Sequence, residues 1–207
     1  MERMEQIFTL TKPLAEERFK QIQAEIEAYC AKHGKEIADE TVSAFRNAFL
    51  QAAKLQMSGE KGAVRYLVLS HLFSSVYADG YAVKIDCFDQ RFYSDSAELE
   101  AYLKLDWLNP FLEKDMESFR KELAEHLPRL MGYELDRVRY RYVWYYHSII
   151  RRFLTDIIGS LLELPEFGAL ASEPEFEVLF GGYMDKAVVI WAADNKEKEH
   201  EILLAGN

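Results

Sequence analysis

The sequence predicts an α+β protein that is predominantly helical, with two antiparallel β-hairpins, at about 64–93 and 175–192, packed against long helices. Apolar residues recur at three- and four-residue intervals over most of the chain, which is typical of helices with one buried face. Two stretches are instead rich in β-branched and aromatic residues beside turn sequences. A composition of 49% hydrophobic and 29% charged residues is that of a globular protein. No linker divides the chain, so we expect a single compact domain over 1–207.

The N-terminal region is predicted to form a helical pair over 13–57. Pro13 tolerates the first turn of a helix, and apolar residues follow it at helical spacing. His33 and Gly34 are typical of a helix end, and a second helix would then end by Gly59. The connection between the two helices would be short, which favours an antiparallel arrangement.

The β part is predicted over 63–93. Residues 83–87 alternate between apolar and polar side chains, which indicates a strand, and Asp79–Gly80 is typical of a hairpin turn. The stretch before this turn is open to two interpretations, because 64–78 also carries a helical stripe. We favour a strand over about 64–70 and leave the remainder undecided.

Helices are predicted over 96–163. A short helix capped at Asp95 or Ser96 would run through Leu105, and a second would run from about 110 to 126. The longest element is predicted at 134–163, where apolar residues step by three and four. A strand over 137–145 is the alternative, since arginines alternate there with apolar side chains, but the helical spacing persists for longer.

The C-terminal hairpin is predicted over 175–192. Two runs rich in β-forming residues, 175–180 and 186–192, lie on either side of Gly181 and Gly182. A pair of glycines between two such runs is typical of a tight hairpin turn.

The formal net charge of −10 argues against nucleic-acid binding, since such proteins neutralise phosphates with basic residues. No apolar run approaches the roughly 18 residues of a membrane helix, so we expect no membrane association. The first residues lack a signal-peptide pattern, and Cys30 and Cys87 are far apart in the sequence. The sequence therefore predicts a cytoplasmic protein.

No recognisable catalytic or cofactor motif is present, and phosphate-binding glycine loops and zinc-protease spacings are both missing. Cys30 with His33 would supply only half of a zinc site, so no metal site is predicted and the cofactor is unknown. Asp86 and Asp89 could flank a cleft, but we interpret them as a solvated turn.

The candidate ligand-binding site lies on the predicted helix at 134–163, which holds five of the chain's arginines. The guanidinium group of arginine binds carboxylate or phosphate through paired hydrogen bonds, and it also stacks on aromatic rings. An ion-pair network with the acidic stretch 94–126 is the alternative interpretation. The candidate residues are Arg137, Arg141, Trp144, His147, Arg151 and Arg152.

These observations predict a non-catalytic binding or regulatory module whose arginine and aromatic side chains hold an anionic small molecule or an acidic partner surface. A self-associating structural protein is the first alternative, because a long apolar stripe favours a homodimer or other homo-oligomer. An enzyme of unknown reaction, with His147 in a pocket between helix and sheet, is the second alternative.

Overall fold

The computed structural model describes residues 3–72, 74 and 80–193, and the backbone of 201–202. It confirms the α+β, mostly helical fold. The chain divides into two compact units, and we describe each by itself: a first unit of Met1–Gly34 with Asp106–Ile150, and a second unit of Lys35–Leu105 with Arg151–Asn207. The single domain over 1–207 stays a prediction.

Four α-helices are present in the described part of the chain. They are α1 (Arg3–Met57), α2 (Asn109–His126), α3 (Gly132–Leu162) and the short α4 (Pro165–Gly168). Two 3-10 turns lie at Phe92–Ser94 and Asp106–Leu108. None of the described helices has an apolar stretch of the length that a bilayer crossing requires.

Helix α1 corrects the predicted helical pair over 13–57. It begins ten residues before Pro13, which lies inside it, and it continues without interruption through His33 and Gly34. A glycine inside a helix costs only about 1 kcal/mol relative to alanine, so it need not end one. The buried residues Ile26 and Ile37 are about three turns apart and so lie on the same side of the helix. The apolar face therefore continues across Gly34.

The predicted end of the N-terminal region near Gly59 is confirmed. Gly59 has a φ of 77°, and the amides of Glu60 and Lys61 both donate to the carbonyl of Leu55. A glycine in the left-handed conformation after the last turn satisfies free helix carbonyls in this way.

The predicted helix over 95–105 is wrong. This stretch is largely without regular structure and ends in strand β3 (Tyr102–Lys104). Asp95 does accept a hydrogen bond from the amide of Ala97, as a capping residue would. However, burial alternates along the following residues: Leu99, Ala101, Leu103 and Leu105 are buried. A period of two residues indicates extended backbone.

The two remaining helix predictions are confirmed, because α2 and α3 match the predicted ranges and α3 is continuous where the strand alternative lay, at 137–145. The start of α3 is fixed by Glu134, whose carboxylate accepts the amide of Met131 at 2.8 Å. A glutamate that reaches back to a free amide is a common N-terminal capping arrangement.

Besides β3, the strands are β1 (Val64–His71), β2 (Ala82–Phe88), β4 (Ser172–Gly182), β5 (Ala187–Ala192) and β6 (Glu201–Ile202). They form one mixed sheet in the order β3-β2-β1-β4-β5-β6. Antiparallel pairs β1–β2 and β4–β5 confirm the strands of both predicted hairpins, and the parallel pair β1–β4 joins them. Strand β1 confirms the prediction at 64–70, whereas Asp79 of the predicted turn lies outside the described residues.

The C-terminal hairpin turns at 183–186 and not at the glycine pair, since Gly181 and Gly182 are the last residues of β4. Gly181 has a packing role there: a Cβ atom on it would lie 2.2 Å from the carbonyl oxygen of Lys186. Glycine therefore permits the close approach of the two strands at this point.

Strand β2 is buried on both faces, so its alternating polar residues do not face solvent. Lys84 and Asp86 are both buried, and the Nζ atom of Lys84 lies 3.1 Å from Oδ2 of Asp86. Asp89 is also buried and pairs with Arg91 at 2.6 Å. The solvated turn expected for Asp86 and Asp89 is therefore wrong, and each carboxylate has a basic partner.

Candidate functional site

The candidate site is a groove in the first unit, between the N-terminal part of α1 and the first half of α3, with one side chain from α2. Its volume is about 570 Å³, within the usual range for small-molecule sites. The residues that line it are Glu5, Phe8, Thr9, Thr11, Lys12, Ala15, Phe119, Val138, Arg141, Tyr142 and Tyr145.

The groove lies between two helices, α1 and α3, that run in the same direction here. Arg3 bonds Glu134 near the start of both helices, and further along the ring of Phe19 lies 4.7 Å from that of Tyr145. On each helix the lining residues recur at intervals of three and four, so a single face of each helix is used.

The floor of the groove is apolar. Phe119, Val138 and Tyr142 are almost fully buried, and the rings of Phe8 and Tyr145 are half-buried beside them. Such a surface binds hydrocarbon or aromatic groups because burial removes apolar area from water. The floor therefore suits the apolar part of a ligand.

The rim of the groove is charged and exposed, and consists of Glu5, Lys12 and Arg141. The guanidinium carbon of Arg141 lies 3.5 Å from the ring centroid of Phe8. Stacking of this kind occupies the face of the guanidinium and leaves the N–H donors at its edge available. Neither Lys12 nor Arg141 has a carboxylate partner among the residues that the structure describes.

A buried ionic network holds the floor in place. Arg18 of α1 donates to Asp115 of α2 with Nε at 2.9 Å, and the hydroxyls of Tyr142 and Tyr146 donate to the other carboxylate oxygen at 2.8 and 2.9 Å. Burial, together with the negative charge of Asp115, raises the pKa of Tyr142. The Tyr142 hydroxyl is thus committed to Asp115 and presents only its ring to the groove.

The second link between the helices lies at their N-terminal ends. Arg3 donates to Glu134 and to the carbonyls of Pro128 and Arg129. The hydrogen bond from Arg3 lowers the pKa of Glu134. Arg3 therefore has a carboxylate partner, in contrast to Arg141.

Comparisons with known proteins do not identify the chain. Known families, curated proteins and solved structures all gave no match. The chemistry of the groove is therefore the basis for assigning a function.

Of the six predicted site residues, the structure places Arg141 in the groove. Arg137 lies one turn earlier on α3, is exposed, and does not line it. Trp144 is 48% exposed, and its ring contacts that of His147 edge to face, with the ring centroids 5.4 Å apart. Arg151 and Arg152 belong to the second unit and are exposed.

His147 is 3% exposed and is not among the residues that line the groove. A general base has to reach the proton that it removes, and this position gives no support to a catalytic role. The ion-pair alternative applies to Arg139, which pairs with Glu113 of α2. Arg141 differs from Arg139 in having the ring of Phe8 and not a carboxylate beside it.

The groove residues contributed by α1 were missed in the sequence. Glu5, Phe8 and Lys12 share one helical face, but the prediction began the helix at Pro13 and so left them out. In the described part of the chain, no group of three or more His, Cys, Asp or Glu side chains is placed to hold a metal ion.

Proposed function

We propose that this protein is a non-catalytic module that binds a small amphipathic carboxylate in the groove between α1 and α3. The observation that carries the proposal is the position of Arg141, which is stacked on Phe8 at the rim and forms no salt bridge with any carboxylate among the described residues. The carboxylate of the ligand would bond Arg141 and Lys12, and its apolar part would lie on the floor.

The charges of the first unit support a ligand rather than a structural role for Arg141. Arg3, Arg18 and Arg139 each have a carboxylate partner on another helix. Arg141 and Lys12 do not, although both line the same groove. A ligand carboxylate would supply the missing acceptor, and arginine binds carboxylates with two parallel hydrogen bonds.

The floor supports a ligand with a hydrocarbon or aromatic body. Tyr142 has its hydroxyl bonded to Asp115, so the buried part of the groove offers rings and methyl groups rather than hydrogen-bond donors. Ring-on-ring contacts with Phe8, Phe119 or Tyr145 would add to the burial of apolar area. Inorganic phosphate or a small diacid would leave this floor in contact with water.

The proposal is tested by calorimetric titration of 3-phenylpropionate, octanoate and the neutral 3-phenylpropionamide against the full chain. We expect both carboxylates to bind and the amide to bind at least about tenfold more weakly, because hydrogen bonds to a charged group are worth about 1.5–3 kcal/mol. Arg141→Met should weaken the carboxylates by a similar factor.

Arg137→Met is the matched control, since Arg137 lies on the same helix, is exposed and does not line the groove. It should leave every affinity unchanged. Equal affinities for carboxylate and amide, or equal losses in Arg137→Met and Arg141→Met, would contradict the proposal. Self-association, a cytoplasmic location and the lack of nucleic-acid binding stay predictions.

A further inference from the structure

We propose that the ligand of the groove is zwitterionic, with an ammonium group close to its carboxylate, as in an amino acid with an aromatic or long aliphatic side chain. This inference rests on the proposed function, since it concerns the same groove. It adds one requirement, which is that the ligand also carries a positively charged donor for acceptors at the rim.

The first acceptor is Glu5, an exposed carboxylate on the lining of the groove. Among the described residues, no cation pairs with it. Arg3 is close to Glu5 in the sequence, but its guanidinium is engaged by Glu134 and two backbone carbonyls. A ligand with only negative charge would therefore meet an uncompensated carboxylate at one side of the site.

The second acceptor follows from Pro13, which lies inside α1. Proline has no backbone N–H, so it cannot donate to the carbonyl four residues earlier, which is that of Thr9. Thr9 lines the groove, and its hydroxyl already donates to the carbonyl of Glu5. The backbone oxygen of Thr9 therefore lacks the amide donor that the residue four positions later supplies elsewhere in the helix.

The order of the charges along α1 fits both ends of a zwitterion. Glu5 and Lys12 are about 10 Å apart along the helix axis, and Phe8, which carries Arg141 on its ring, lies between them. With its carboxylate held by Arg141, a ligand would have its α-ammonium group available to Glu5, which lies on the N-terminal side of Phe8. The side chain of the amino acid then covers the floor of aromatic rings.

The experiment uses three probes that share one phenyl ring: L-phenylalanine, 3-phenylpropionate, which lacks the ammonium group, and 2-phenylethylamine, which lacks the carboxylate. Titration calorimetry is performed on the wild-type chain, on Glu5→Gln and on Arg141→Met. We expect L-phenylalanine to bind about fivefold or more tightly than 3-phenylpropionate, and 2-phenylethylamine to bind most weakly.

In Glu5→Gln the preference for L-phenylalanine over 3-phenylpropionate should disappear, whereas the affinity for 3-phenylpropionate should hold or rise. Glu16→Gln is the matched control, because Glu16 is exposed on the same helix but does not line the groove, and it should keep the preference. Circular dichroism of each variant checks that the helices are retained.

The outcomes separate this inference from the proposed function. If 3-phenylpropionate binds at least as tightly as L-phenylalanine and loses affinity in Arg141→Met, the zwitterion is wrong and the carboxylate site stands. The same conclusion follows if Glu5→Gln keeps the preference. If neither carboxylate binds, or if 2-phenylethylamine binds most tightly, both proposals fail.

Discussion

A buried cation of the second unit differs from two exposed cations of the first unit in its partner. In the second unit, Lys61 and Asp95 form an ion pair in which both side chains are 0% exposed. In the first unit, Lys12 and Arg141 lie at the rim of the groove, where they are exposed and form no salt bridge with any described carboxylate. A buried charge is stable only beside a counter-charge. An exposed cation is stabilised by water and therefore stays available to a ligand.

The first unit repeats this contrast on a smaller scale. Asp115 is completely buried and accepts hydrogen bonds from Arg18, Tyr142 and Tyr146. Glu5, in the same unit, lies at the exposed rim of the groove. The two carboxylates illustrate a general distinction: a satisfied network fixes the shape of a site, whereas the unsatisfied groups determine what the site binds.

The largest expected effect comes from breaking the buried pair of the second unit. Asp95→Asn keeps the size of the side chain but leaves the Lys61 ammonium group without its buried counter-charge. Removal of one partner of such a pair costs about 3–5 kcal/mol, measured as the free energy of unfolding in urea.

Adding Lys61→Met to Asp95→Asn should recover part of that loss, because no buried charge then lacks a partner. Glu5→Gln, at the exposed rim, should leave the free energy of unfolding unchanged. A loss below about 1 kcal/mol for Asp95→Asn would show that the buried pair is not a structural requirement.

The second effect concerns His71, a buried group of the second unit that favours its neutral form. Burial lowers the pKa of His71 to about 4, against a smaller opposing influence from Asp185. Between pH 6.5 and 4 the unfolded chain therefore binds more protons than the folded chain, so stability falls as pH falls. From pH 7.5 to 5 the expected loss from this group is about 2 kcal/mol.

Urea denaturation at the two pH values measures this loss. His71→Gln should remove most of the difference between them, whereas His126→Gln, at the exposed end of α2, should keep it. An unchanged pH dependence in His71→Gln would mean that His71 is not the group responsible.

The third effect compares two tyrosines that both line the groove. The Tyr142 hydroxyl donates to buried Asp115, so Tyr142→Phe should lower the free energy of unfolding by about 1–2 kcal/mol. Tyr145 lines the groove without such a hydrogen bond, and Tyr145→Phe should leave stability nearly unchanged. Equal losses in the two variants would mean that the Asp115 network does not fix the floor.

Local patterns predicted much of the fold. The pattern predicts helix α3 because its apolar stripe continues for about seven turns. It predicts β1 and β2 because residues with strand preference cluster there. The stretch from Leu99 to Leu105 was mistaken for a helix because the capping signal at Asp95 outweighed an alternation that was present in the sequence. The parallel pairing of β1 with β4 depends on contacts far apart in the chain, which periodicity does not encode.

The site was predicted only in part because it also depends on contacts between residues far apart in the chain. A helical wheel identified Arg141, but the groove depends on which face of α1 meets it, and that is set by tertiary packing. His147 is separated from Arg141 by about 120° around the helix and is buried, so it does not share the rim. Sequence periodicity therefore predicted a charged helix, and the structure showed which of its charges line a groove.

The smallest expected effect contrasts two glycines that have similar sequence surroundings. A Cβ atom on Gly34 or Gly59 would meet nothing within 4 Å, but only Gly59 has a positive φ. Gly34→Ala should therefore raise the free energy of unfolding by about 0.5–1 kcal/mol, whereas Gly59→Ala should lower it by about 1 kcal/mol. Thermal or urea unfolding measures both changes. A loss of stability in Gly34→Ala would indicate that α1 turns at this glycine, as the sequence had suggested, and would remove the continuous helix from the structure.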